Sequence, residues 1–301
     1  MIASQQEQKK RLTLCTFCLA KLIVLIILSM KNILKQLIPP VLWCFVRKLF
    51  VKEAPGITYS GKYSSFDEVL ETNAESTNYN SQESTQDSLL TARIKFDLLK
   101  QGQCPSLDWD NCRLNLFPTF LSTINTDKQI KVFDIGGGLG TSFVDLKFSC
   151  PQIKTQYTIY ELPELVAQGE EFSKAFPELN FTSEFPAKPE SYDIALLGSS
   201  LQYFENYKEV IKSTCQLNPK HILLTDHPMG TVDTFICAQV NMKNRIIPRY
   251  VFNLNEIIAL FKEKNYKLIL KSINYYPFHN FSNYDGDYKK TQHYNVAFKK
   301  N

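Results

Sequence analysis

From Gln129 to the C-terminus, short apolar runs of strand type alternate with amphipathic stretches of helical period. "IKVFDIG" reads as a buried strand and "GTSFVDLKF" as the helix after it. "TQYTIYEL" and "PELVAQGEEFSKAF" repeat the pair, with Pro163 in the helix's first turn, where a missing N–H costs nothing. "LNFTSEF" and "YDIALLGSS" read as a third and fourth strand, "ENYKEVIKSTCQL" as the next helix and "KHILLTD" as a fifth strand. Asn253 and Glu256 open a last helix, "NEIIALFKEKNY". "YKLILKSINYY" and "QHYNVAFKK" close the chain as two more strands, joined by a Gly-, Asn- and Asp-rich stretch, Asn280 to Asp287. Buried strands alternating with amphipathic helices require a mostly parallel sheet covered on both faces. The last pair predicts an antiparallel hairpin at the sheet edge. The expected class is therefore α/β, with seven strands.

The first of these strands runs into "VFDIGGGLGTSF", Val132 to Phe143. Glycines between a strand and a helix let backbone approach a ligand closely, and the helix N-terminus favours anionic groups. A dinucleotide turn needs G-x-G-x-x-G. Counted from Gly136, the third glycine would fall at 141, which is Thr141; counted from Gly137, the second would fall on Leu139. The spacing present is Asp134, then Gly136, Gly138 and Gly140. A carboxylate beside the turn suits a ligand with an ammonium group and would repel a pyrophosphate. Glu161, at the end of the second strand, can accept hydrogen bonds from both hydroxyls of a ribose. It can equally serve as an acid in the first turn of the helix that Pro163 opens.

D-x-G-x-G-x-G resembles motif I of the class I S-adenosylmethionine (SAM)-dependent methyltransferases. Further stretches, "YSGKYSSFDEVL", "YTIYELPELVAQGEEF", "YDIALLGSSLQYF" and "PRYVFN" downstream of "LLTDHPM", resemble a family of bacterial members found with surface-polysaccharide biosynthesis genes. The likeness runs from about Met30 to the C-terminus. It implies a Rossmann-like class I methyltransferase sheet with SAM as cofactor. It implies a cofactor role for Asp134, Gly136, Gly138, Gly140 and Glu161. Ser183, beside Glu184, falls where the adenine lies. Gly198, Leu201 and Gln202 fall along the cofactor edge, and Tyr203 reaches the acceptor. The family carries an arginine soon after the acid that ends the fifth strand. Here His227 follows Asp226 instead.

Methyl transfer to a hydroxyl calls for a base, and histidine is the usual one. Of His221, His227, His279 and His293, only His227 sits beside the C-terminal end of the fifth strand, where ligands bind such sheets. His227 and Tyr203 are thus the catalytic candidates, and Asp226 the substrate-binding one.

The N-terminal third differs in kind. Residues 1–52 hold nine basic residues against Glu7, a charge of +8, while the remainder is at −4. A nucleic-acid surface on the main domain is not indicated. Residues 1–29 contain the apolar run Leu12–Leu28 and read either as an apolar leader or as an extension from an over-long start, Met30 being a plausible start itself. Residues 30–52 form a basic amphipathic arm with Trp43, suited to an anionic membrane surface or to packing on the domain. Residues 53–125 read as a helical cap: Ser65 and Glu68 make a capping box, Thr72–Ser88 a polar lid, and "LLTARIKFDLL" and "RLNLFPTFLSTI" two helices. Residues 126–301 are the SAM-binding domain. Eight scattered cysteines lack paired metal-ligand spacing apart from Cys15 and Cys18, which predicts no metal site and a reduced, cytoplasmic setting, peripheral or anchored at the inner membrane face.

The resulting expectation is a SAM-dependent O-methyltransferase acting on a small-molecule, sugar or glycolipid intermediate of surface polysaccharide. The alternatives are an NAD-dependent oxidoreductase and a non-catalytic membrane-associated adaptor that keeps the fold.

Overall fold

The computed structural model describes residues 57–72, 82–103, 116–124, 128–186, 191–241, 245–274 and 279–301. The leader and the basic arm lie outside these residues. The chain begins with β1 (Ile57–Tyr63), α1 (Phe66–Thr72), α2 (Gln82–Lys100) and α3 (Leu116–Thr123). Next come β2 (Ile130–Ile135), α4 (Thr141–Ser149), β3 (Thr155–Tyr160), α5 (Pro163–Ala175), β4 (Leu179–Thr182), β5 (Ile194–Gly198) and a 3₁₀ turn, Leu201–Tyr203. Then follow α6 (Tyr207–Gln216), β6 (His221–Gly230), β7 (Phe235–Asn241), β8 (Arg245–Asn253) and α7 (Leu254–Glu263). The last strands are β9 (Tyr266–Asn274), β10 (His279–Asn280) and β11 (Gln292–Lys300).

The central sheet has the order β4-β3-β2-β5-β6-β11-β9. β2 to β6 pair in parallel, and β11 lies antiparallel between β6 and β9. This is the Rossmann-like class I methyltransferase sheet, with the expected antiparallel C-terminal hairpin. Burial follows the sequence. β5 is apolar at successive positions because helices cover both its faces, whereas edge strand β9 alternates. In β2, Val132 joins the core on one face, with Phe96, Phe143 and Tyr157. Phe133 and Ile135 join the other, with Ile257 and Phe261. Burying each of these β2 side chains contributes about 1.5–3 kcal/mol.

Two expectations for residues 53–125 change. Its first described element is a strand, β1. The segment 82–88, expected as part of a lid, is the start of α2. The capping box forms as expected: Glu68 N–H donates to Ser65 Oγ at 3.1 Å, and the Glu68 carboxylate reaches back to Ser64.

Four strands lie outside the seven. β10, β1, β7 and β8 form a smaller sheet that joins the main one where β8 pairs with the extended end of β6, at Met229 and Gly230. Its two faces bury Tyr59, Cys237 and Val251 on one side and Phe66, Val69 and Ile236 on the other. β7 and β8 make an antiparallel hairpin, and β1 adds to its free edge from far away in sequence. The Pro248 inside β8 hides this strand from a propensity reading, since proline removes a ladder donor. No helix among the described residues is long and apolar enough to cross a membrane.

Candidate active site

The glycine turn between β2 and α4 is held from below and from the side. Gly136, Gly138 and Gly140 all take positive φ, at 70°, 58° and 87°. A Cβ on Gly136 would stand 2.6 Å from Ser200 Cβ, so space and backbone both demand glycine there. Ser200 Oγ in turn donates to Ile135 C=O at 2.6 Å, tying β2 to the segment after β5. Gly138 faces open space. Its N–H donates to Glu161 Oε1 at 2.9 Å, while Leu162 N–H donates to Oε2 at 2.9 Å. Burial raises the Glu161 pKa, and these two N–H groups oppose that shift.

Asp134 does not line the crevice. It is 0% exposed, packed under Gly137 and hydrogen-bonded by Tyr157 Oη at 2.7 Å. Burial pushes its pKa up to about 7 against the opposing Tyr157 bond. In this structure the side chain braces the turn from beneath. Ser183 is exposed just past β4, two residues before Phe185, whose ring meets Tyr160 edge-on at 4.7 Å. Gly198 ends β5, half-exposed.

The segment after Gly198 divides by role. Leu201 is a core residue at 0% exposure, and its N–H is already used. Gln202 is equally buried, donating to Ser199 C=O and Oγ at 2.8 and 3.1 Å. It braces Ser199, which sits at φ 55°. Both side chains are turned into the fold, where they support the segment that follows β5. Tyr203 is half-buried and donates to Gln239 Oε1 at 3.0 Å.

His227 is turned inward as well. Its ring is 0% exposed, and Nε2 accepts Leu201 N–H at 3.2 Å, which puts the ring proton on Nδ1. Burial drives its pKa down to about 3, outweighing the nearby Asp226. A general base must reach its proton, and this nitrogen is sealed in the fold and already accepting a backbone N–H. Asp226 is likewise buried, at positive φ of 61°. Its Oδ1 takes His293 Nδ1 at 2.9 Å and Asn274 Nδ2 at 3.1 Å, and its N–H donates to Asn295 Oδ1 at 2.9 Å. The register shift of β11 at Asn295 brings these groups together. The Asp226 carboxylate is thus engaged by His293 and Asn274 inside the fold. The His293 Nδ1 carries the proton shared with the carboxylate, so Nε2 has the lone pair. Burial lowers the His293 pKa and the Asp226 bond opposes it.

Sequence reasoning missed Arg249, Gln239 and Tyr59. Arg249 is buried, with Nη1 donating to Tyr59 Oη at 3.0 Å and to Gln239 Oε1 at 2.5 Å. Gln239 Oε1 thereby accepts from both Arg249 and Tyr203. The one available signal was polar residues in otherwise apolar runs, Gln239 in "FICAQVN" and Arg249 in "IIPRYVF". Among the described residues no group of His, Cys, Asp or Glu side chains could hold a metal ion.

No family model matches the chain, and no curated protein matches it in sequence. Solved structures match it in shape. The magnesium protoporphyrin IX methyltransferase from Synechocystis PCC 6803 with bound SAM aligns at 10% identity over 79% of this chain and 100% of that one, TM-score 0.47. The 1,6-didemethyltoxoflavin-N1-methyltransferase from Burkholderia thailandensis, with bound 1,6-didemethyltoxoflavin and S-adenosylhomocysteine, aligns at 13% identity over 71% and 88%, TM-score 0.45. A SAM-dependent methyltransferase from Clostridium acetobutylicum aligns at 12% identity over 70% and 97%, TM-score 0.45. The fold class rests on the strand order itself.

Proposed function

We propose that this chain is a SAM-dependent methyltransferase. The observation that carries the reading is the Glu161 carboxylate seated on Gly138 N–H of the turn. In a dinucleotide site that N–H and the helix N-terminus behind it face a pyrophosphate. Here a carboxylate already occupies the N–H and would repel one. A cationic ligand with a ribose suits the same place, because Glu161 keeps lone pairs for hydroxyl donors. SAM fits this description and, when bound, supplies an electrophilic methyl group.

The chain's own residues then position an acceptor. Tyr203 stands at the end of the β5 segment with its hydroxyl fixed by Gln239. His293, held by Asp226, is 3% exposed and as sealed as His227, which leaves the half-buried Tyr203 hydroxyl as the group able to meet an acceptor. The acceptor oxygen would gain the methyl carbon as the donor's carbon–sulfur bond breaks and S-adenosylhomocysteine leaves, its own proton passing to solvent. Alignment of the two reactants accounts for most of such an enzyme's work.

For the acceptor, we favour a sugar or glycolipid intermediate of surface polysaccharide, supported by the sequence resemblance. The basic arm, 30–52, supports work beside an anionic membrane surface on the cytoplasmic side. Calorimetric titration with SAM and S-adenosylhomocysteine tests the core reading; no heat at millimolar ligand defeats it, and binding of a nicotinamide cofactor instead would favour an oxidoreductase. Mass spectrometry of surface glycans from a deletion strain tests the acceptor. Flotation with anionic vesicles, with and without residues 1–52, tests the arm.

A further inference from the structure

Arg249 is 1% exposed, yet only one edge of its guanidinium is satisfied. Nη1 holds Tyr59 and Gln239. The opposite edge carries Nε–H and an Nη2–H side by side, and neither nitrogen has a protein acceptor. No carboxylate among the described residues comes within ion-pair distance of this side chain; the one that acts on it electrostatically is Asp226, whose Oδ1 is engaged by His293 and Asn274. Elsewhere the molecule shows what that edge does when matched. On the surface, Arg93 grips the Glu171 carboxylate through Nε at 2.8 Å and Nη2 at 3.2 Å. That fork is the geometry guanidinium uses for carboxylate and phosphate alike.

A buried cation with an unmatched fork is unfavourable for folding. The fold nonetheless holds this one firmly. Tyr59 and Tyr203 rings lie 4.9 and 5.5 Å from its guanidinium carbon, within cation–π range. Gln239 fixes Nη1 and Tyr203 together, so the arginine is tied to the segment that follows β5. An oxyanion arriving from outside the chain would complete it.

We propose that Arg249 is an anion anchor for the methyl acceptor, its Nε and Nη2 taking two oxygens of a carboxylate or phosphate while Tyr59, Gln239 and Tyr203 hold the fork in place. The acceptor is then an anionic molecule rather than a neutral sugar. The assignment to an acceptor rests on the methyltransferase reading above.

The test is calorimetry on the full chain with glucuronate and glucose 1-phosphate as carboxylate and phosphate probes and glucose as the neutral control, each with and without saturating S-adenosylhomocysteine. One of the anions is expected to bind and glucose not. Arg249→Gln should weaken that anion at least about tenfold, as loss of a charge-assisted pair does, and leave S-adenosylhomocysteine affinity within about twofold. Arg249→Lys keeps the charge and loses the fork. It should weaken the anion at least about fivefold, and it decides the matter if the glutamine variant does not fold. Binding of glucose as tight as that of the anions, no binding of either anion, or anion binding untouched in the variants overturns the proposal. So does an equal loss of S-adenosylhomocysteine affinity, because Arg249 would then hold the donor's own carboxylate. Anion binding through Arg249 in a chain that does not bind S-adenosylhomocysteine would defeat the methyltransferase reading and leave the anion site standing.

Discussion

The two sides of the candidate site are assembled by opposite means. The glycine side is local: Gly138 and Glu161, its central pair, are 23 positions apart and belong to one strand–helix–strand unit. The arginine side is not: Arg249 and Tyr59 are 190 positions apart, and they meet only because β1 pairs with β7 and β7 with β8. The first kind of site is built from backbone conformation and N–H groups. The second is built from side chains whose neighbours are set by strand order. Backbone demands restrict residue type at fixed spacing, so they leave a readable pattern. A side-chain cluster gathered from several strands leaves isolated polar residues in apolar runs.

The largest expected effect falls on the glycine side. Gly136→Ala places a Cβ 2.6 Å from Ser200 Cβ at a positive φ, and should abolish measurable S-adenosylhomocysteine binding. The strain is on the order of 1–3 kcal/mol, so circular dichroism should still show a folded chain. Retained affinity would mean that the turn does not shape the cofactor site. Next comes the acceptor contact. Tyr203→Phe should lower turnover at least about tenfold, as loss of a positioning hydroxyl does, with S-adenosylhomocysteine affinity unchanged. Turnover within a few fold of wild type would remove the Tyr203 hydroxyl from the chemistry.

Glu161→Gln sharpens the contrast at smaller size. It keeps an acceptor for Gly138 N–H but weakens the hold on ribose hydroxyls, and should cost about tenfold in S-adenosylhomocysteine affinity. An unchanged affinity would leave Glu161 as a brace for the turn and the first turn of α5.

The smallest effects concern pH, where the two sides pull in opposite directions. The folded His227 pKa is lowered to about 3, so its contribution is full above its ordinary 6.5 and is lost as pH falls toward 3. The folded Asp134 pKa is raised to about 7, so its contribution is full below its ordinary 3.8 and is lost as pH rises to 7. In the shared window each group changes stability by about 1.4 kcal/mol per pH unit, with opposite sign. Asp134→Asn should therefore steepen the loss of stability on acidification, and His227→Asn should flatten it. Urea midpoints measured between about pH 4 and 7 check both, and parallel curves for the two variants would show that neither group titrates as described.

Much of the fold is legible in the sequence because both-face burial produces uninterrupted apolar strands such as "IALLG" and edge burial produces alternation, as in "YKLILKSIN". The small sheet was not. Pro248 argues against a central strand, and nothing near Ile57–Tyr63 announces a partner so far along the chain. Among site residues, those placed by spacing lie where expected in the chain, yet exposure sorted them differently. Asp134, Leu201, Gln202, Asp226 and His227 were singled out for nearness to the crevice, and all five prove buried. Sequence position gives the strand end but not the direction a side chain takes from it. His293 is buried as well, at 3% exposure, and it is the antiparallel placement of β11 against β6 that brings it to Asp226.

The sequence by itself determined the parallel sheet, the glycine turn and its acidic partner. These follow from periodicity and from backbone angles that only glycine adopts freely. Which side chains complete the other side was decided by tertiary structure alone. That choice depends on the long-range pairing of β1, β7 and β8 and on the bulge opposite Asp226, and no local pattern encodes either.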